Sequence, residues 1–207
     1  FDPALFHDDD GTSWLLNMVW DYRSNQNSFA GIVIQQLDRE RLVLVGASRI
    51  IFQGTQIGYT EGPHVYKRDG WYYLVVAEGG TSYGHCVTVA RSRSLFGPYE
   101  VHPLDPFFTS VVDRTFFMQD RREGRSGMRA CIDGLQKAGH ASFAPVSEQL
   151  WVMAYLCSRP LPGTSNCPLG RETALEFITW HDGWPWPQSR HPRLEIDAPV
   201  SGTSNSV

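Results

Sequence analysis

The amino-acid sequence predicts an all-β fold of the β-propeller type. Short apolar or alternating runs bounded by turn residues recur along the chain, and no segment keeps a helical period. One scheme repeats within that pattern: a polar residue, a short strand, a turn and an aromatic strand. Together these observations favour many short antiparallel strands arranged in similar units.

The strand predictions rest on β-branched and aromatic residues in short runs. The clearest runs are SWLLNMVW, FAGIVIQQL, RLVLVGA, HVYKRDGWYYLVVA, CVTVARS and LWVMAYL. Asp10-Gly11 and Asp69-Gly70 each lie between apolar stretches, where Asp-Gly favours a hairpin because glycine tolerates positive φ.

Three segments follow the repeated scheme, and each begins near a polar side chain. The segments are DPALFHDDDGTSWLLNMV, EGPHVYKRDGWYYLVVA and GHASFAPVSEQLWVMAYL, and the polar residues are Asp2, Glu61 and His140. Radially arranged repeats would bring these strand starts together around a central channel, as in a propeller. A β-sandwich is the competing architecture, and it would not gather them around one axis.

The composition is that of an ordinary globular protein. Of 207 residues, 42% are hydrophobic and 19% charged, and the net charge of −4 argues against a nucleic-acid partner or an acidic membrane surface. No apolar run is long enough to span a bilayer. The chain begins with Phe1 rather than methionine, so the absence of a signal peptide leaves the compartment open.

The four cysteines indicate no metal or redox motif. Cys86, Cys131, Cys157 and Cys167 have neither zinc-site nor CxxC spacing. Cys157 and Cys167 flank a Pro/Gly-rich loop and would pair in an oxidising compartment, whereas four unpaired thiols are the alternative.

Glu61 and Asp2 are the candidate catalytic residues. Two carboxylates facing one cavity can carry out acid/base glycosidic cleavage, provided that one keeps its proton near neutral pH. A second carboxylate and partial desolvation would raise the pKa of Glu61 in this way. Aromatic residues make up 13% of the chain, which suits a sugar site. Taken singly, each carboxylate could instead be a solvated turn residue, and His140 a hydrogen-bonded core histidine.

Three further residues are candidate substrate contacts. Arg171 in LGRET could donate two hydrogen bonds to sugar hydroxyls, or it could form a surface pair with Glu172. The loop EGGTSYGH lacks the GK[ST] ending of a phosphate-binding loop. It is therefore predicted to shape the channel, with Thr81 and His85 as contacts.

Several quoted motifs together resemble glycoside hydrolase family 43, most closely its β-xylosidase-type members. They are FDPALFHDDDG, TEGPHVYK, AEGGTSYGH, ARSRSLFGPYE, AGHAS and LGRETALEFITWHDGW, and the resemblance covers most of residues 1–186. It implies a five-bladed β-propeller whose members remove β-xylosyl or α-L-arabinofuranosyl units from chain ends with inversion. It also implies that residues 187–207 form a linker or tail toward a β-sandwich domain, and it offers no counterpart for 111–134, a predicted loop insertion.

The resemblance assigns roles to individual residues. Glu61 matches the general acid, Asp2 the aspartate that tunes and orients the acid, and Arg171 an arginine that grips the sugar. Thr81 matches a pocket-lining position. His140 matches a channel histidine that in some members helps to hold a calcium ion or a water cluster; the reaction itself requires no cofactor.

Two departures qualify the resemblance. The family's general base is an aspartate in a DPS-like motif of the first blade, upstream of the stretch matched by Asp2, and Asp105-Pro106 lies far downstream. We therefore expect an incomplete propeller that lacks the first blade and its base, with exposed strand edges. Ser142 stands where the family usually has an aspartate, which weakens a metal site at His140.

The predicted function is that of an inverting, exo-acting β-1,4-xylosidase on xylo-oligosaccharides. An α-L-arabinofuranosidase acting on arabinose-substituted substrates is the first alternative. A non-catalytic sugar-binding propeller is the second, because the general base is absent from these residues.

Overall fold

The computed structural model describes residues 1–25, 28–118, 134–164 and 166–197. This part of the chain folds into three antiparallel sheets that follow one another in sequence. The first sheet has the order β1-β2-β3-β4, with bounds Ala4–His7, Ser13–Asp21, Ser28–Asp38 and Val43–Phe52. Each run predicted as a strand coincides with one or two strands, apart from Arg41 and Leu42 before β4 and the turn between β5 and β6, so the all-β class is confirmed.

The second and third sheets repeat this meander. The second contains β5 to β8 in order, with bounds Glu61–Arg68, Trp71–Glu78, Cys86–Ser92 and Glu100–Val101, and β9 (Phe108–Thr109) also pairs with β7. The third contains β10 to β13, with bounds Gln136–Pro145, Leu150–Ser158, Glu172–His181 and Trp184–Pro187. A 3-10 helix spans Arg114–Met118. Within the described residues, no helix is both long and apolar enough to cross a membrane.

Strand β6 explains how the sheets pack. Its side chains alternate between two faces, and both faces are buried. Leu74 and Val76 belong to a core shared with the first sheet, whereas Tyr73 and Val75 belong to a core shared with the third. The continuous apolar run of this strand is therefore the sequence signal of a sheet covered on both sides.

The hairpin turns follow the Asp-Gly signal at two places. Asp69 and Gly70 have φ of 51° and 71°, the paired left-handed conformation of a tight hairpin. Asp182-Gly183, with φ of 55° and 68°, makes the same turn between β12 and β13, although the sequence analysis did not single it out. At Asp10-Gly11 only the glycine has positive φ, and the turn is wider.

The residues that directly follow β13 are bound to the sheets by hydrogen bonds and an ion pair. The backbone N–H of Thr109 donates to the carbonyl oxygen of Arg190 at 3.1 Å. The carbonyl oxygen of Thr109 accepts a hydrogen bond from Nδ1 of His191 at 2.7 Å. Arg193 pairs with the fully buried Glu176 at 2.6 Å. Residues 188–193 are thus held against the sheets, and a linker toward a further domain stays a prediction.

The predicted insertion at 111–134 is only partly within the described residues. Val111 and Phe116 are buried and pack with Tyr83, so the beginning of the stretch is anchored. The remainder, 119–133, lies outside the described residues, as does Cys131. Cys157 and Cys167 do not form the disulfide considered from sequence.

Candidate active site

The first strands of the three sheets meet, and they bring the predicted catalytic residues together. Strand β5 contacts both β1 and β10. Asp2 lies just before β1 and accepts a hydrogen bond from the backbone N–H of Gly62, with a distance of 3.1 Å from that nitrogen to Oδ2. Glu61 begins β5, directly before this glycine. The convergence predicted from the repeats is therefore present.

Gly62 also contacts the ring of His140. A methyl group at Gly62 would lie 2.6 Å from Nε2 of His140, which is closer than any real contact. The backbone at Gly62 has φ of 57°, a conformation that glycine adopts without steric cost. The imidazole therefore lies directly against the backbone that follows Glu61.

The charge environment of Glu61 favours the protonated acid. Burial raises the pKa of the half-buried Glu61 carboxyl, and the Asp2 carboxylate raises it further. Electrostatic interactions with His140 and Arg171 lower the pKa of Glu61, but the net direction is upward. A carboxyl that keeps its proton above its usual range is suited to general-acid chemistry.

Arg171 lies near enough to Glu61 for its charge to lower the pKa of that carboxyl. Its charge acts on Glu61 and on His85, and it is exposed at the start of β12. Glu172 pairs instead with Arg159, with a nitrogen–oxygen distance of 3.4 Å. The surface pair considered as the alternative for Arg171 is therefore not formed.

Strand register corrects one detail of the repeat. Glu61 pairs with Ala77 and Gly139 pairs with Leu156, and a β-bulge follows each of them. The counterpart of Glu61 is therefore Gly139, and His140 corresponds to the next residue, Gly62. The matching positive φ of 51° at His140 supports this alignment.

His85 lies below the surface of the site. It is 1% exposed, and its Nδ1 lies 3.0 Å from the carbonyl oxygen of Lys137, to which it donates. Its ring contacts Gly139, where a methyl group would lie 2.5 Å from Cδ2. Burial lowers the pKa of His85 to about 4, so the ring is neutral. Its buried position favours support of Gly139 and His140; substrate contact by His85 stays a prediction.

Thr81 occupies an exposed bend between β6 and β7. It stands in the predicted channel loop, open to solvent, and its role as a pocket residue stays a prediction.

His64 is a further residue at this site that was not among the predicted site residues. Its Nε2 lies 3.3 Å from Oγ of Ser142. Burial and the interaction with His140 lower the pKa of His64, while Asp2 acts in the opposite direction. His64 is two residues beyond Gly62 in the same strand. Its presence in the TEGPH motif was the available signal.

The residues around His140 do not fit a calcium site made by the protein. Calcium takes six to eight oxygen ligands, whereas the partners identified at His140 are an imidazole and a glycine backbone. Across the described ranges, no group of three His, Cys, Asp or Glu side chains is placed to hold a metal ion. Ser142, in place of an aspartate, is consistent with this.

A cavity of about 620 Å³ lies apart from these residues. It is lined mainly by the segment after the first sheet and by the loop after β8, including Thr55, Ile57, Val101 and Phe117. None of the candidate site residues lines it. Its largely apolar wall offers no acid/base pair, so the place where Asp2, Glu61 and His140 meet is the better candidate for an active site.

Comparison with known proteins gives a consistent picture. The family model of glycosyl hydrolases family 43 matches residues 1–185. The chain is 42% identical to a beta-xylosidase of Bacillus subtilis and 41% identical to a xylan 1,3-beta-xylosidase of a Vibrio species, in each case over 96% of this chain and 36% of the relative. A non-reducing end alpha-L-arabinofuranosidase of Bacteroides ovatus is 35% identical over 78% of this chain and 27% of the relative.

A solved structure of a xylosidase is also similar to this chain. The crystal structure of xylan beta-1,4-xylosidase from Bacillus halodurans superposes with a TM-score of 0.80 at 46% identity, covering 97% of this chain and 35% of that one. The chain thus spans about a third of the length of the relatives it matches. From the family match along residues 1–185 and the identity to curated members, the chain belongs to glycosyl hydrolases family 43.

Proposed function

We propose that the protein carrying this chain is an inverting, exo-acting β-1,4-xylosidase that hydrolyses xylo-oligosaccharides. The observation that carries the proposal is the half-buried Glu61 carboxyl, whose pKa is raised by burial and by Asp2. The fold is then a five-bladed propeller, of which the three sheets form a part. The named activities of the beta-xylosidase relatives support this substrate class.

In this mechanism Glu61 donates its proton to the glycosidic oxygen as the bond breaks. Asp2 disfavours ionisation of Glu61 and orients the acid through its bond to Gly62. Arg171 is free of Glu172 and can direct its guanidinium at sugar hydroxyls. His140, seated on Gly62, lines the same wall.

An inverting reaction also needs a base that activates water on the opposite face of the sugar. We propose that this base is an aspartate outside the 207 residues, which span about a third of the length of the relatives they match. Hydrolysis of 4-nitrophenyl β-xyloside by this chain, beside a polypeptide extended upstream to the length of its relatives, tests the point. Activity of the extended protein alone is expected, and equal activity of the short chain would contradict the location of the base.

Arabinofuranoside hydrolysis is the second candidate function. It is favoured by the 35% identity to an arabinofuranosidase and by the 42% identity to a xylosidase/arabinosidase of Humicola insolens. Proton NMR of the extended protein with aryl β-xyloside and aryl α-arabinofuranoside separates the candidates. The proposal predicts faster release from the xyloside and initial appearance of α-xylose. Faster arabinoside cleavage would reverse the specificity, and binding without cleavage of either would favour a sugar-binding module.

A further inference from the structure

A buried carboxylate outside the catalytic set lies behind the general acid. Glu78 ends β6 and is 1% exposed. Its Oε1 accepts from the hydroxyl of Thr60 at 2.7 Å and from the backbone N–H of Thr55 at 2.8 Å. Its Oε2 accepts from the hydroxyl of Thr55 at 2.6 Å and from that of Thr88 at 2.7 Å. Four uncharged donors therefore hold one carboxylate.

The backbone at Gly54 lies directly against this network. A methyl group at Gly54 would lie 2.1 Å from Oγ1 of Thr60 and 2.9 Å from Oε1 of Glu78. Thr60 and Thr88 are buried. On the side of Gly54, neither the carboxylate nor the Thr60 hydroxyl can move without displacing backbone, and the four hydrogen bonds define the arrangement.

Three of these four donors, from Thr55 and Thr60, belong to the segment that leads into Glu61. Thr60 directly precedes the acid, and Thr55 lies five residues earlier in the connection from the first sheet. Within this connection Tyr59 has φ of 54°, an uncommon conformation for a bulky residue, and it is 61% exposed.

Residues at the end of β6 hold the backbone on both sides of Tyr59. The N–H of Gly79 donates to the carbonyl of Gly58 at 2.8 Å, and Glu78 holds Thr60 on the other side of Tyr59. The backbone is thus fixed on both sides of the strained residue. The last fixed point before the acid is the hydroxyl of Thr60.

We propose that Glu78 is a positioning residue for Glu61, acting through the hydroxyl of Thr60. The inference rests on the proposed role of Glu61 as general acid. Glu78 does not touch the substrate; it sets the direction in which the β5 backbone presents the acid. A displacement of about 1 Å at a catalytic group can cost a hundredfold in rate, so one buried hydrogen bond is sufficient to matter.

The test compares Thr60→Val with Thr88→Val in the extended protein. Each variant removes one hydroxyl from the same carboxylate at nearly constant volume, but only Thr60 adjoins the acid. Xylobiose needs protonation of its leaving oxygen, whereas 2,4-dinitrophenyl β-xyloside does not. We expect Thr60→Val to lower kcat on xylobiose about tenfold or more while sparing the activated substrate, since general-acid catalysis contributes roughly 10²- to 10⁴-fold.

The controls separate positioning from stability. Thr60→Ser keeps the hydroxyl and is expected to restore the ratio of the two rates, whereas Thr88→Val should leave that ratio within about twofold of the original. If Thr60→Val lowers both rates equally, or if Thr88→Val changes the ratio as much, the inference is wrong. Glu61→Gln is measured in parallel. If Glu61→Gln loses activity selectively on xylobiose and Thr60→Val does not, only the role of Glu78 is rejected. If Glu61→Gln shows no selective loss on xylobiose, the assignment of Glu61 as general acid is itself wrong.

Discussion

At the scale of single residues, proton affinity at the site is set by neighbours rather than by Glu61 alone. Desolvation and the Asp2 carboxylate both oppose ionisation of Glu61, and together they outweigh the opposite effects of His140 and Arg171. Asp2 also fixes the backbone after the acid by accepting from Gly62. One aspartate therefore performs an electrostatic and an orienting function.

The Asp2→Asn variant separates these two functions. The asparagine carbonyl can still accept from Gly62, but the negative charge is lost. The pKa of Glu61 should fall, so the acid loses its proton at lower pH and the basic limb of the kcat/KM profile should move to lower pH. The profile on xylobiose measures this shift. An unchanged or higher basic limb would contradict the assignment, and Asp9→Asn, at a surface carboxylate, serves as the control.

Sequence reasoning reached Asp2, Glu61, His140 and Arg171 because each lies in a short motif at the start of a strand. It did not reach Glu78, since the threonines that surround this carboxylate come from positions 55, 60 and 88. Such a network is formed by tertiary packing and has no local pattern. For His85 the motif indicated a place near the site, but burial depends on β10 folding over it.

At the scale of elements, one tyrosine adds both a ring stack and a hydrogen bond to the contact between the second and third sheets. The ring of Tyr66 stacks on Phe143, with centroids 5.4 Å apart and planes 18° from parallel. Its hydroxyl accepts from the backbone N–H of Phe143 at 2.7 Å. This bond satisfies the backbone of β10 next to its bulge, where strand pairing is interrupted.

Tyr66→Phe should therefore destabilise the protein without changing the stack. The loss of the hydroxyl leaves the N–H of Phe143 unpaired, which costs about 1–3 kcal/mol in free energy of unfolding. Urea-induced unfolding measures the change. Tyr22→Phe is the matched control, since Tyr22 is 79% exposed and the same atom is removed. Equal stability of the two variants would show that the Tyr66 hydroxyl is dispensable.

Strands were predictable where side chains alternate or run apolar, as in β2, β6 and β11. The short strands β8 and β9 gave no signal, because two residues cannot establish a period. Residues 188–193 were missed for another reason: they are held by backbone bonds to Thr109 and by an arginine on a buried glutamate, with little apolar area.

At the scale of the whole molecule, two buried neutral histidines link stability to pH. Burial lowers the pKa of both His85 and His102 to about 4, whereas an unfolded chain titrates histidine near about 6.5. Between these values the unfolded state binds more protons. The free energy of unfolding should therefore decrease as the pH is lowered from about 6.5 to about 4.

His85→Asn should reduce the slope of this decrease. The asparagine amide can replace Nδ1 as donor to the carbonyl of Lys137, but it does not titrate. Denaturant unfolding at several pH values measures the slope for each protein. His102 retains its own contribution, so the slope should become shallower rather than vanish. Identical slopes would mean that His85 is not held neutral in the folded protein.

The central claim is that Glu61 is the general acid, and the most direct test is the leaving-group dependence of Glu61→Gln in the extended protein. Glutamine keeps the shape of the side chain but has no proton to transfer. The account predicts a loss of roughly 10²- to 10⁴-fold in kcat on xylobiose and little loss on 2,4-dinitrophenyl β-xyloside, whose leaving group needs no protonation. Intact turnover of xylobiose, or equal losses on both substrates, would contradict it.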